Sequence, residues 1–143
     1  MPVWKLAVAF MAVALMLVGC GCDNPEAALQ AAVESLQESI ESKDTSRLMD
    51  LIHQEFSANQ EADRDWARRT ATLMFLRHRN VNVIALNSRS WIDPTYPDKG
   101  YSEAQVALTG AEALLPQRLG HYNARLEWWL ADGKWQLARL NWD

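Results

Sequence analysis

Few side chains in this 143-residue sequence can do chemistry beyond its scattered carboxylates: three histidines and two cysteines stand out. Asp50, His53 and Glu55 fall close together. A carboxylate and imidazole set of this kind moves protons when burial draws a pKa toward neutrality beside an oxyanion donor. These residues lie at the end of a short helical pattern, however. His78 closes the next one, where a helix C-terminus favours its cationic form. Each reads more simply as a solvated helix-end residue, so no catalytic residue is assigned. His53, His78 and His121 are too scattered for HxxxH or HxH spacing and no carboxylate cluster at ligand spacing accompanies them, so no metal is expected. Neither a Gly-x-Ser-x-Gly turn nor a phosphate-cradling glycine loop occurs, and no cofactor is expected.

The thiols say more. Residues 6–18 form an unbroken apolar run, preceded by Lys5 and followed by Gly19-Cys20-Gly21-Cys22. That run is shorter than the ~20 apolar residues of a bilayer-spanning helix but suits the core of a secretory signal. Leu17-Val18-Gly19-Cys20 resembles the bacterial lipobox, with a branched apolar residue three before the cysteine and a small residue where the peptidase approaches. The resemblance implies a lipoprotein signal peptide at 1–19, a diacylglyceryl group on Cys20 and a lipidated tether at 20–24. One acyl chain binds a membrane marginally and two or more hold it stably, so the membrane is the expected partner through Cys20. Gly21, rather than Asp, is similar to the pattern of outer-membrane sorting. The expected location is therefore the bacterial envelope, on the periplasmic face of the outer membrane. With Cys20 lipidated, Cys22 has no intramolecular disulfide partner. It reads as a tether residue, with an intermolecular disulfide as the alternative.

Without residues 1–19 the chain carries 13 basic residues against 18 acidic ones, which argues against nucleic acid as a partner. Residues 25–143 read as one domain, long enough to bury roughly two-thirds of the surface that its unfolded chain exposes.

The elements that must position any site follow from patterning. Asp23-Asn24-Pro25-Glu26 starts a helix, with Asp or Asn as cap, Pro in the first turn and Glu at the positive end of the dipole. The helix should run over 25–43, with Leu29, Val33, Leu36 and Ile40 as its inward stripe. Asp44-Thr45-Ser46 recaps the chain, and Leu48, Leu51, Ile52 and Phe56 predict a short second helix. A third is expected over 61–78. Its Arg64 and Arg68 have Glu61, Asp63 and Asp65 within reach, so the arginines read as a solvated face, with anionic lipid headgroups as the alternative.

From Asn80 the pattern changes. The β-branched run 81–86 predicts a strand, residues 93–100 a loop, and 101–115 a second strand with Gly110 as a plausible bulge. Asp132-Gly133 predicts a two-residue turn between aromatic strands. In regular register Leu130 faces Trp135, Trp128 faces Leu137, Leu126 faces Arg139 and Ala124 faces Asn141. One face then collects Tyr122, Leu126, Trp128 and Trp135, with Arg139 and Asn141 toward one end. Trp129, Leu140 and Trp142 fall on the other face as an apolar patch. A bulge near Arg139 would swap the last positions. Six of the seven tryptophans lie beyond residue 19.

Ala32 to Phe56, read as an opening helix, acidic turn and short helix (residues 36–44, then 48–52), and the closing Asp132-Gly133-Lys134-Trp135-Gln136-Leu137 resemble the nuclear transport factor 2-like superfamily. That superfamily includes the polyketide-cyclase-like and ketosteroid-isomerase-like proteins. The resemblance implies an α+β cone: three N-terminal helices packed in the concave face of a curved antiparallel sheet, open at one end. It also implies a ligand pocket, but activity varies on this frame and must be read from the site. The favoured expectation is a non-catalytic, membrane-anchored domain that binds a small apolar or amphipathic ligand, or a partner protein. Trp66, Tyr122 and Trp128 would form its wall, with Arg139 and Asn141 as polar anchors. The alternatives are an isomerase, dehydratase or cyclase-like enzyme using Asp50 or Glu55 with His53, and a structural lipoprotein. A homodimer through the sheet at Trp129 and Trp142 is also expected.

Overall fold

A computed structural model describes residues 24–109 and 122–143. The signal segment, Cys20, Cys22, Gly110 and His121 lie outside the described residues. Helix α1, Pro25–Glu41, starts as its sequence dictates. The Asn24 side chain accepts from the Glu26 and Ala27 amides at 3.0 and 3.3 Å, and Pro25 occupies the first turn, where no N–H is needed.

Helix α2, Thr45–Asp50, is capped by Asp44 and ends sooner than its apolar spacing suggests. Ile52–Ala58 is strand β1, not the last turn of that helix. The spacing Leu48, Ile52, Phe56 misleads because residues four apart share one face of a strand as well as one face of a helix, so Ile52 and Phe56 are both buried in an extended chain. Left-handed residues Asn59 and Gln60 (φ 46° and 65°) then turn the chain into the two-residue strand β2, Ala62–Asp63.

Helix α3, Arg64–Arg77, begins where the Asp63 carboxylate accepts from the Trp66 amide at 2.9 Å. Arg64 does not pair with its acidic neighbours. Its guanidinium donates to the Met49 carbonyl in α2 and to the Ile52 carbonyl at the start of β1.

Strands β3 (Asn82–Ile92), β4 (Lys99–Thr109), β5 (Tyr122–Ala131) and β6 (Lys134–Trp142) complete one curved, unclosed six-stranded sheet of order β2-β1-β6-β5-β4-β3. All neighbours are antiparallel except β1 and β6, which run parallel. The class is α+β, as expected, with two short strands interposed before the third helix.

Helix α1 lies on one face of this sheet. Leu29, fully buried, occupies the space above Gly100, where an added Cβ would stand 2.7 Å from its Cδ2. Further along, Gln37 Nε2 donates to the Val83 carbonyl at 3.2 Å. The helix therefore enters beside the β3–β4 connection and runs toward the start of β3. The main core joins Leu29, Met49, Ile52 and Phe56 to Trp128, Trp135 and Leu137, and a smaller one gathers Leu48, Ala71, Phe75 and Val81.

Candidate functional site

The final hairpin decides which side chains can form a site. Asp132 and Gly133 have φ of 51° and 75°, the paired positive angles of a type I′ turn. Leu130 then pairs with Trp135 and Trp128 with Leu137, as the turn requires. Beyond this the register slips, so that Glu127 faces Arg139, Leu126 faces Leu140 and Ala124 faces Trp142. Ala138, fully buried, is the extra residue. One inserted residue moves every later side chain of β6 to the opposite face.

The expected ligand set is split as a result. Tyr122 and Trp128 stay on the helix-covered face. Leu140 and Trp142 join them there, and Trp142 stacks on Trp66 with centroids 6.1 Å apart and planes 15° from parallel. Arg139 and Asn141 go to the helix-free face, so they cannot anchor a ligand held against Trp128. Trp128 has no exposed surface, and its indole N–H donates to Ser102 Oγ at 3.1 Å, with Ser90 Oγ a further 3.0 Å on. It is a core residue with a satisfied polar handle. Trp66, Tyr122 and Trp142 are each half-buried.

The two tryptophans expected to make a dimer patch are likewise separated. Trp129 remains on the helix-free face, where the Arg139 guanidinium lies 4.8 Å from its ring centre and His53 meets its edge at 4.9 Å. Arg139 also donates to the Glu55 carbonyl at 2.7 Å. It clamps β1 to β6 over an aromatic face.

The proton-transfer candidates are spread over the surface. Asp50 and Glu55 are exposed, and half-buried His53 uses Nδ1 to accept from the Glu55 amide at 3.0 Å. His78 is buried at the end of α3, with Nε2 unpartnered among the described residues and its carbonyl held by Lys43 Nζ at 2.9 Å. No Asp or Glu among the described residues is buried.

What the helix-free face does assemble is a polar lattice. In register across the strands lie Arg89, Glu103, Arg125 and Asn141, and one row further Gln105, Asn123 and Asp143. Glu103 accepts from Arg89 at 2.6 and 3.0 Å through one oxygen and from Arg125 at 2.8 and 3.0 Å through the other. The Arg89 guanidinium pulls its carboxyl below the ordinary glutamate range, and Arg125 acts in the same direction. Asn87, at the β3 bulge with φ 52°, donates to Gln105 at 3.3 Å. Between these side chains runs a groove of about 540 Å³ lined by Asn87, Glu103, Gln105, Asn123, Arg125, Asn141 and Asp143, with Trp142 at its flank. Only Asn141 of the residues expected to bind ligand lines it. Glu103 and Gln105 left no sequence signal because their partners are on other strands. The alternation Asn123, Arg125, Glu127 along β5 did mark a polar face.

A second polar knot lies at the opposite end of β4. Asp93 accepts from the Thr95 and Tyr96 amides and from the Tyr101 hydroxyl at 2.9 Å. The Tyr96 and Thr95 amides, in that order, and then the Tyr101 hydroxyl lower its pKa, while the same contact raises that of Tyr101.

No family model and no curated protein matches the chain. Solved structures do. An NTF2-like protein from Cytophaga hutchinsonii superposes with TM-score 0.68 at 14% identity, covering 83% of this chain and 97% of that one. A candidate dehydratase of the NTF2-like family from Streptomyces avermitilis gives 0.66 at 12% identity, covering 81% and 92%. Bd1075 of Bdellovibrio bacteriovorus gives 0.68 at 10% identity over 80% of this chain but only 38% of its own. The chain thus has the NTF2-like, or cystatin-like, fold. At these identities the likeness is of fold alone, and the fold hosts both candidate enzymes and proteins without assigned activity.

Proposed function

We propose that this is a lipid-anchored protein of the bacterial envelope, on the periplasmic face of the outer membrane, whose NTF2-like domain is a binding module for a small amphipathic ligand. The observation that carries the binding reading is the 540 Å³ groove on the helix-free face, whose volume falls in the ~300–1,000 Å³ range of small-molecule sites. Asn141 lines the groove and would serve there as a polar anchor. Arg139 is replaced in that role by Arg125, because the β6 bulge turns Arg139 onto Trp129.

The anchor reading rests on the lipobox resemblance at Cys20, and the fold is compatible with it. Helix α1 begins beside the β3–β4 connection near Gly100, whereas the groove is centred on Glu103 and Gln105, about 10–17 Å further along β4. A domain tethered at 20–24 would thus hold its groove away from the chain's point of attachment. The buried-carboxylate enzyme is disfavoured by the surface positions of Asp50 and Glu55, which leave neither carboxylate in a water-excluded site. A homodimer through the sheet would bury Trp129 without Trp142.

Native mass spectrometry of the full chain, purified from bacterial membranes, tests both halves. The expected result is a lipid mass on Cys20, lost in Cys20→Ala, and a retained small molecule that is lost in Asn123→Ala/Arg125→Ala. A chain without lipid sinks the anchor. Wild-type protein that retains nothing, or a ligand indifferent to those substitutions, sinks the groove as the binding site. The same spectra report the oligomeric state.

A further inference from the structure

We infer that the groove on the helix-free face takes an uncharged, polyhydroxylated ligand, a short neutral glycan. This deepens the reading of the groove as the binding site and rests on it.

The argument begins with charge. Arg89 and Arg125 present side chains that are 70% exposed, the feature that ordinarily invites an anion. Here both already flank the Glu103 carboxylate, which offers each of them an oxygen. Of the charged side chains lining the groove, Glu103 and Asp143 are anionic and Arg125 is cationic, and Arg89 adjoins them through Glu103. A ligand of either sign would have to break these pairs or sit beside a like charge, so neither an anionic nor a cationic ligand is selected.

Apolar ligands are disfavoured by the lining. Ala104, Ala124 and Trp142 are its only apolar members, and every other lining side chain is an amide, a carboxylate or a guanidinium. Burying hydrocarbon against these groups would strip them of water without replacing their hydrogen bonds.

What remains is a ligand that both donates and accepts without charge. Each amide carries a carbonyl acceptor and two N–H donors in one plane, which matches neighbouring hydroxyls that can each do either. Among the described residues, no hydrogen bond engages the side chains of Asn123, Asn141 or Asp143, and Gln105 has only its oxygen engaged, by Asn87. These open groups come from three adjacent strands in register. Their roots are therefore about 4.8 Å apart across strands and about 7 Å apart along them, a spacing at which one ring-sized ligand meets several at once. Glu103 serves as a positioning residue, holding the Arg125 guanidinium at the groove.

Calorimetric titration of the full chain, in a detergent without sugar headgroups, tests the assignment. The probes are maltotetraose, cellotetraose and chitotetraose, with tetragalacturonate and oleate as charged comparators. At least one neutral tetrasaccharide should bind with a Kd below about 1 mM. Asn123→Ala/Asn141→Ala should weaken it by about tenfold or more, and Glu103→Gln should also weaken it. Arg139→Ala, outside the groove, should leave it unchanged. The asparagines are exposed, so circular dichroism should show the double variant folded. If oleate or tetragalacturonate binds instead and responds to the asparagine substitutions, the glycan is overturned while the groove stands as the site. If no probe binds and no retained mass responds to groove substitutions, both are overturned. Tetrasaccharide binding that survives the double variant places the glycan elsewhere and also overturns the assignment.

Discussion

The two faces of the sheet are built from the same strands and behave differently. The helix-covered face is closed by Leu29, Trp128, Trp135 and Leu137, which are buried, and its interior polar groups are consumed by the chain from Trp128 through Ser102 to Ser90. The helix-free face is an array of charged and amide groups, several of them open to solvent. What separates them on β6 is one residue. Before Ala138 the strand alternates so that Trp135 and Leu137 face the helices. After it the alternation is reversed, and Leu140 and Trp142 face inward while Arg139 and Asn141 face out. The bulge adds the last rows of the groove to one face and the Trp66–Trp142 stack to the other.

The largest effect should come from enlarging that residue. Ala138→Arg places a guanidinium in the enclosed space that the fully buried alanine fills, unless the bulge moves and the strand realigns. Burying an unpaired guanidinium alone costs several kcal/mol. The expected loss, about 4 kcal/mol or more, is comparable to the whole stability of a small domain. Urea unfolding should show an unfolded or molten chain. A midpoint within experimental error of wild type would mean that the register can be re-made elsewhere, and that the bulge does not set the two faces.

Trp128→Ala tests the closed face alone. Truncating a fully buried indole leaves a cavity and costs about 3–5 kcal/mol, and it also removes the donor from Ser102. Trp128→Phe keeps most of the volume and loses the N–H, so about 0.5–1.5 kcal/mol is expected from the lost hydrogen bond, with Ser102 still partnered by Ser90. Neither should alter ligand binding to the residual folded protein at low temperature. A changed affinity would show that the two faces communicate.

Gly100→Ala acts where α1 meets the sheet. The added methyl would stand 2.7 Å from Leu29 Cδ2 and 3.3 Å from Cδ1, and Leu29 is fully enclosed, so helix or strand must shift. Overpacking of this kind costs about 1–3 kcal/mol. Gly100→Ala/Leu29→Ala should recover part of the single-variant loss, and a double-mutant cycle with no coupling would contradict the contact.

Much of this organisation is legible in the amino-acid sequence, up to the points where non-local contacts take over. The α1 cap at Asn24-Pro25, the Asp132-Gly133 turn and the pairing as far as Trp128 with Leu137 follow from local chemistry. The order of elements carries the cone. The bulge is not legible, because alanine fits either face of a strand, and with it went the faces of Arg139, Asn141, Leu140 and Trp142. Strand β1 was hidden by apolar residues four apart. Of the groove, β5 displays its polar alternation in sequence. The ion pairs of Glu103 with Arg89 and Arg125, however, join residues 14 and 22 positions apart, and only strand order reveals them.

The smallest effect concerns acid. Glu103 on the open face and Asp93 by the β3–β4 connection both have folded-state pKa values below the ordinary 4.5 and 3.8. A carboxyl with a depressed folded-state pKa contributes stability that is fully present above its unfolded-state pKa. That stability is lost as pH falls through the folded-state value. The urea midpoint should therefore be steady from neutrality down to about pH 5 and fall below the ordinary carboxylate range. The two groups separate by substitution: Glu103→Gln should flatten part of the fall and weaken glycan binding at every pH, whereas Asp93→Asn should flatten another part and leave binding alone. Both carboxyls are solvent-accessible, so salt should shrink Glu103's share, which comes from paired guanidiniums, more than Asp93's, which comes mainly from backbone amides. An acid transition unaltered in both variants would place its origin in other carboxyls.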